Sequence, residues 1–379
     1  MLDVIIAGAG PAGSVAAWIA ARAGARVLLV DRDTFPRGKL CGDTLNPGAL
    51  ATLEAIGLGS GLLALGRPIV GMSVTGAGVG VEARYEEGRT GLAITRRVLD
   101  GWLLERAIEA GARFEPGLIV RGPLLDESAS WPIVRGLVMA KRGQSESRIR
   151  MPAAMTIAAD GRASAVARAL GLARAVGRPR RWAFGAYASG IQGVTDLGEM
   201  HIQPGRYIGI AAVSAELANV CVVTGPKPGG RTPLDIMRRA IAADRDLERR
   251  FAGARFESPV RVLGPLASSA RRAGVDGLLL AGDAAGFVDP MTGDGVHLAI
   301  RGAALAAREA LGVLSSGDFV GAVARLADAR ERQIAPKQRF GRVLRRLVES
   351  PAAVGAAGLG ARVAPGIVRW AIRYAGDAA

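Results

Sequence analysis

The chain has only two cysteines and two histidines in 379 residues. Cys41 and Cys221 lie far apart, so no disulfide framework is expected. With only His201 and His297 beside them, a structural zinc site is not expected either. Aromatic residues make up 4% of the chain and are not interleaved with basic ones, so nucleic acid is not an expected partner. Lysine is nearly absent: Lys39, Lys141, Lys227 and Lys337 stand among 49 basic residues, the rest arginine. No window offers about eighteen uninterrupted apolar residues, so no transmembrane helix is expected. The N-terminus carries no basic region or cleavage site and reads as a strand from its second residue. A cytoplasmic location is therefore expected.

Half the residues are hydrophobic, which fits a folded globular protein rather than a disordered one. The length exceeds the usual limit for a single core, so two domains are expected. The formal net charge is +15. A GC-rich coding sequence would account for arginine over lysine, but not for base over acid. The excess points to an anionic partner: a phosphorylated cofactor, NADPH or a membrane surface.

The opening stretch is a strand–turn–helix–strand–acid sequence. LDVIIA, 2–7, is apolar and β-branched. Gly8-Ala9-Gly10-Pro11-Ala12-Gly13 follows, then the helix-like SVAAWIAARAG, then RVLLV ending in Asp31. A glycine turn between strand and helix, with an acid at the end of the next strand, is a dinucleotide-binding pattern. Gly8 permits the tight turn, Gly10 lets a pyrophosphate approach the backbone, and Gly13 lets helix and strand pack closely. The helix N-terminus offers free N–H groups to phosphate, and Asp31 can accept hydrogen bonds from a ribose diol.

A second segment narrows the cofactor. GLLLA, 277–281, reads as a buried strand that ends in Gly282-Asp283. In an open α/β sheet, ligands sit beyond the carboxyl ends of strands. Asp283 there can bond a polyhydroxyl chain, which FAD has in its ribityl and NAD lacks. Pro290 and the turn Gly293-Asp294-Gly295 lead into VHLAIRGAALAAREAL, a strong helix former. Its positive N-terminal end would face the electron-rich edge of a reduced flavin.

Four pieces in order carry a family resemblance: GAGPAG with Asp31; FPRGKLCGDTLNPGALATLEAIGL, 35–58; AADGRASAVARALGL, 158–172; and AGDAAGFVDPMTGDGVHLAIRG. The chain resembles the FAD-dependent oxidoreductases of the para-hydroxybenzoate hydroxylase and geranylgeranyl reductase superfamily over roughly residues 1–310. The resemblance implies that Asp31, with Arg32 beside it, binds the adenosine ribose. It implies that Arg37 and Arg96 approach the pyrophosphate. Asp160 and Gly161 would support FAD and a pyridine nucleotide. Asp283, beside Gly282, would hold the ribityl, and Gly293 and Gly295 would flank the flavin pyrimidine edge. Pro11 and Ala12 in the first turn, Gly42 beside Cys41, and Pro290, Asp294 and Val296 around the second turn complete the implied FAD site. NADPH or NADH is the implied reductant. For Arg96 a solvated helix start, and for Asp160 ordinary turn chemistry, stay open.

The expected fold is α/β, α+β overall: a Rossmann-like FAD-binding domain with an inserted antiparallel β-sheet substrate domain and a C-terminal helical region. The FAD-binding parts are 1–71, 92–172 and 263–320. The substrate sheet is 72–91 and 173–262, where alternation and turn residues indicate antiparallel strands. The helical region is 321–379. Met200, His201, Tyr207 and Cys221 are candidates for the substrate wall, with a plain sheet core as the other reading. Cys41, His201 and Tyr207 are the candidate catalytic residues. Cys41 is either a thiol beside the flavin or a small buried hydrophobe. His297 is read as structural packing in its helix.

Reduced flavin has two outlets in this superfamily. One is oxygen activation to hydroxylate an electron-rich ring, and the other is reduction of an alkene in a prenyl lipid. Prenyl reductases carry Tyr-x-Trp-x-Phe-Pro on the substrate sheet. The matching stretch here is Tyr207-Ile208-Gly209-Ile210-Ala211-Ala212, which keeps only the tyrosine. The Trp-x-Trp-x-Ile-Pro of flavin halogenases is absent. The expected function is an NAD(P)H-driven monooxygenase acting on an aromatic or polyketide-like small molecule. The alternatives are a flavin-dependent C=C reductase of prenyl lipids and a membrane- or partner-bound flavoprotein module. PKQRFGRVLRRLVES, 336–350, and GIVRWAIRYA, 366–375, motivate the last. They place apolar and arginine faces on helices, so 336–375 is either a peripheral membrane contact or a helical cap on the body.

Overall fold

A computed structural model describes residues 1–144, 147–174, 180–225 and 229–377. Its central sheet runs in the order Gly274–Val275, Leu278–Leu280, Ile149–Ala158, Leu2–Ala7, Val27–Asp31, Arg113–Pro116. The four pairings from Leu278–Leu280 across to Arg113–Pro116 are parallel, Gly274–Val275 is added antiparallel, and the start of Ile149–Ala158 also pairs antiparallel with Val134–Lys141. Val27–Asp31 is buried at every position. That suits a continuous apolar run, because parallel strands are covered on both faces. Helices Pro11–Arg22, Arg96–Glu109 and Gly295–Ser316 pack one face through small residues such as Ala16, Ala20, Ala303 and Ala307. The other face is covered by the antiparallel strands Leu118–Leu125 and Val134–Lys141. Gly8, Asp31, Ala159 and Ala281 follow or end the carboxyl ends of the central strands, which puts every nucleotide-type motif at one rim.

A second sheet has the order Arg255–Phe256, Trp182–Ser189, Leu217–Thr224, Arg206–Ala212, Leu197–Gln203, Gly71–Gly76, Val79–Arg84. Its pairings are antiparallel except that Gly71–Gly76 lies parallel to Leu197–Gln203. Strand side chains alternate between faces. Phe184, Ile208 and Val222 pack on Met237 and Leu247 of helices Pro233–Ala242 and Arg245–Arg250. Ala183, Met200, Tyr207, Cys221 and Val223 form the opposite face, which looks toward the flavin-type turn.

Four helices close the chain: Phe319–Gln333, Ala335–Glu349, Pro351–Val363 and Pro365–Gly376. The last three each begin with proline at the first or second helical position, where its missing N–H costs nothing. They fold back over the second sheet. Arg369 Nε donates to Glu82 O at 3.3 Å and Arg373 Nε to Arg84 O at 3.3 Å. No helix among the described residues is long and apolar enough to cross a membrane.

Candidate active site

The first glycine turn has room for a ligand because it has none for side chains. Gly8 has φ +92°, and a Cβ there would stand 2.5 Å from Ala159 O. A Cβ on Gly13 would fall 1.7 Å from Gly8 O. Asp31 holds the turn itself: its Oδ2 accepts from Ala9 N at 2.8 Å and its Oδ1 from Asp33 N at 2.9 Å. Arg32 does not join it. Its side chain is 73% exposed and lies 3.7 Å from Asp33, away from the ligand rim.

Positive charge converges on Gly10. Arg37 Nη2 and Arg96 Nη2 come within 3.5 and 3.9 Å of the place a Gly10 side chain would occupy. Asp100, fully buried one helical turn after Arg96, fixes both guanidinium groups. Arg96 donates to it through Nε at 2.6 Å and Nη2 at 2.8 Å, and Arg37 Nη1 lies 3.2 Å away. Lys39 lines the same space, and its pKa is lowered by burial and then by Arg96. These are the groups an anionic pyrophosphate requires.

Asp160 caps the short helix Ala165–Ala169, its Oδ2 accepting from Ala165 N at 2.9 Å. Its Oδ1 is buried without a hydrogen-bond partner, and burial raises its carboxyl pKa. Gly282 brings the two motifs into contact, since a Cβ on it would meet Ala12 Cβ at 2.8 Å. The next residue, Asp283, lines the cavity with a carboxylate that makes no hydrogen bond among the described residues; only its carbonyl is engaged, by Ser268 Oγ at 2.7 Å.

The second turn is built by local capping. Asp289 Oδ1 accepts from Met291 N at 3.1 Å, and Gly293 takes φ +68°. Helix Gly295–Ser316 then starts with its N-terminus at the cavity, where Pro290, Gly293, Gly295 and Val296 all line the wall. Asp294 lies buried behind the turn. Asn46 Nδ2 donates to its Oδ1 at 2.7 Å, and burial pushes its carboxyl up to about 7.

Together these walls enclose a cavity of about 710 Å³. Gly10, Pro11 and Ala12 lie on it, as do Cys41, Gly42 and Arg96, and Gly161, Gly282 and Asp283. Asp31, Arg32, Arg37, Asp160 and Asp294 do not line it.

The residues fit FAD: a closed glycine turn, two held arginines, a free carboxylate past strand Leu278–Leu280 and a helix start beyond it. The pattern of the FAD binding domain family matches residues 1–318. The chain belongs to the FAD-binding domain family. It is a flavin-dependent oxidoreductase. Digeranylgeranylglycerophospholipid reductase 2 of Methanopyrus kandleri is 32% identical over 307 residues, 79% of this chain and 74% of that one. Menaquinone reductase of Mycobacterium tuberculosis is 31% identical over 327 residues, 80% of this chain and 75% of that one. Among solved structures, a geranylgeranyl bacteriochlorophyll reductase-like protein from Thermoplasma acidophilum has TM-score 0.80 at 20% identity, covering 94% of this chain and 90% of its own. A flavin-dependent brominase has TM-score 0.82 at 20% identity, covering 99% and 93%. At that identity the last two show the fold alone.

Of the three catalytic candidates, this FAD-binding fold brings two to the cavity. Cys41 lines it half-buried; burial raises the thiol pKa and neighbouring Arg96 opposes that. Tyr207 also lines it, but its OH is committed to Asp289 Oδ1 at 2.5 Å and its ring lies under Arg181 at 5.0 Å. Burial raises that hydroxyl's pKa further. His201 does not reach the cavity. It points to the opposite face of the sheet, where its Nε2 pairs with Glu199 Oε2 at 2.7 Å and its Nδ1 with Thr75 Oγ1 at 2.8 Å. Glu199 is in turn clamped by Arg250 at 2.7 and 2.8 Å. Of the other wall candidates, Met200 and Cys221 line the cavity, and burial pushes the Cys221 thiol up to about 12.

Several residues around the site carry little or no signal in the sequence. Asp100 had a visible signal, four residues after an arginine on a helix. Asn46 stands before Pro47 as a helix cap, with Ala49 N donating to it at 2.9 Å. Lys39, Arg162 and the buried Asp43 carried none.

Proposed function

We propose that the protein reduces carbon–carbon double bonds in the isoprenoid chain of a lipid, with NADPH or NADH as reductant of its FAD. The observation that carries this reading is the far wall of the cavity. Helices Pro351–Val363 and Pro365–Gly376 line it with Val354, Ala357, Ala361, Val368, Ala371 and Ile372. A long wall of aliphatic residues suits a flexible hydrocarbon, whose burial is favourable by about 25 cal/mol per Å², and offers little to orient a polar ring.

This departs from the hydroxylation expected above. That expectation rested on the lost Trp and Phe beside Tyr207, where Gly209 and Ala211 now stand on the cavity face. The apolar grip is supplied instead by helices more than 140 residues later in the sequence. The curated relatives named as lipid and quinone reductases support the same reading.

FAD bound here would supply two-electron chemistry, accepting a hydride equivalent from nicotinamide and passing one to substrate. Gly10, Arg37 and Arg96 would hold its pyrophosphate, on a turn that Gly8 and Gly13 keep closed, and Asp31 its adenosine ribose. The free Asp283 carboxylate would hold the ribityl. The turn Gly293–Gly295 would present its backbone to the ring. Reducing an alkene also needs a proton. Cys41, kept neutral by burial, is the cavity group we assign to deliver it or to orient the donor. The aliphatic walls exclude water.

The test is anaerobic. NADPH-reduced holoprotein is mixed with a geranylgeranyl lipid in detergent, and flavin absorbance and product mass are followed. Reoxidation with a gain of two hydrogens per double bond is expected. An oxygen-dependent hydroxylated product from an aromatic compound, with no anaerobic reoxidation by the lipid, would restore the monooxygenase reading. Absence of any turnover would leave a flavoprotein module.

A further inference from the structure

We propose that the corner joining helices Pro351–Val363 and Pro365–Gly376 docks on an anionic lipid bilayer, and that substrate passes into the cavity at that corner. The second half rests on the lipid reductase reading; the first does not.

Val363 is 87% exposed and Ile367 is 68% exposed, yet both line the cavity. The wall is one residue deep there, so these side chains form a mouth. Leu359, at 64%, and Trp370, at 54%, continue the exposed apolar surface on either side. Leu359 and Val363 stand four apart on one helix, and Ile367 and Trp370 three apart on the next, so each pair shares a face. Isolated exposed apolar residues are ordinary, but a contiguous group at a cavity mouth marks an interaction site.

Charge identifies the partner. Residues 336–375 hold Lys337 and seven arginines against one acid, Glu349. Glu349 is taken by Arg345 at 2.9 Å. Arg342, Arg346 and Arg362 have no carboxylate partner among the described residues, and Arg342, Arg346 and Arg362 are exposed. An apolar corner beside Arg362, in a helical region whose preceding helix exposes the unpaired Arg342 and Arg346, matches the interface of an anionic membrane, where the face enters the acyl boundary and arginines meet phosphate. A neutral protein surface would leave those charges unanswered. The aliphatic cavity behind the mouth would then receive a lipid tail without exposing it to water.

The test uses the FAD-loaded full chain in flotation with phosphatidylcholine vesicles, and with vesicles containing phosphatidylglycerol. Wild type is expected to float with the anionic vesicles and not the neutral ones, and to lose most binding in high salt as the charges are screened. Leu359→Asp and the double variant Arg342→Glu/Arg346→Glu, none of which lines the cavity, are expected to lower the bound fraction several-fold. Their FAD content and melting temperature are expected to match wild type. Equal flotation by Leu359→Asp, or no flotation of wild type on anionic vesicles, overturns the docking. Concentration-dependent self-association that Leu359→Asp abolishes would assign the face to a second copy and overturn it too. Turnover of detergent-dispersed lipid separates the two readings. Its loss with flotation intact sinks the reductase, while the reverse sinks only the docking.

Discussion

Asp43 shows how much one buried carboxyl can hold. It sits at φ +55° and is 1% exposed. Tyr187 OH donates to its Oδ2 at 2.6 Å, Asn219 Nδ2 to the same oxygen at 2.9 Å, and Arg96 N to its Oδ1 at 3.2 Å. Tyr187 and Asn219 belong to the second sheet, so this one group pins the Cys41 loop to both layers. Burial outweighs the donors and pushes its carboxyl up to about 6. The folded state therefore holds this proton more tightly than the unfolded chain does. The stability from Asp43 is fully present below the unfolded value near 4 and is lost as pH rises through about 6. Melts of wild type and Asp43→Asn between pH 4 and 7 are expected to show wild type losing stability relative to the variant as pH rises. A pH-independent difference would contradict this. Asp100→Ala frees Arg37 and Arg96 at once, and FAD affinity measured by fluorescence is expected to fall by about tenfold or more, in line with lost charge-assisted bonds. Cys41→Ser is expected to slow the anaerobic alkene step while FAD content and reduction by NADPH hold. Unchanged single-turnover rates would leave Cys41 a packing residue.

At the scale of elements, the strands and turns of the candidate FAD site are legible because each is local: a strand, a glycine turn and a helix start within about fifteen residues. The antiparallel block was legible from alternation, but its phase was not. Met200 and His201 are adjacent on strand Leu197–Gln203, and the sequence pattern offers both for the substrate wall. Neighbours on a strand face opposite ways, so only one could be there, and Ile202 and Tyr207 share the face that Met200 takes. The role of the C-terminal helices was not legible. Their heptad-like faces are local, but which body they cover depends on long-range packing. In the structure Phe340, Trp370 and Tyr374 form an aromatic cluster, with Phe340–Tyr374 centroids at 4.9 Å, that joins helix Ala335–Glu349 to the last helix. Ala361 is buried at the cavity wall. Ala361→Trp is expected to fill the space a hydrocarbon chain would take and to abolish turnover of long isoprenoids, with FAD content intact. Normal turnover would place the substrate elsewhere.

At the scale of the molecule, a buried polar latch ties the end of the chain to the flavin turn. Lys337 Nζ reaches Asp377 Oδ1 at 2.6 Å and bonds Tyr374 O and Ala375 O. Asn46 Nδ2 spans Asp294 and, at 3.2 Å, Ala375 O. His297 Nδ1 lies 3.4 Å from Asp377 Oδ2, and burial lowers its pKa to about 4, so it is neutral at ordinary pH. Lys337→Met removes the cation from this cluster and leaves carboxylates without it, a change that typically costs about 3 kcal/mol or more. Limited proteolysis is expected to cut first within 350–377 in that variant, and an unchanged digestion pattern would show that the helices hold without the latch.

The way the sheets are threaded also bears on how the chain comes off the ribosome. Gly71–Gly76 lies parallel to Leu197–Gln203, and Leu2–Ala7 is separated from Leu278–Leu280 by a single strand. That intervening strand, Ile149–Ala158, therefore waits for its parallel partner until about 120 residues later, and the second sheet cannot close around residue 76 until residue 203 has emerged. Such long-range closure is slow, so the nascent N-terminal half carries unpaired strand edges through most of translation. The proposed ribityl and ring contacts come from Asp283 and the turn Gly293–Gly295, so a complete flavin site exists only once about three-quarters of the chain has been made.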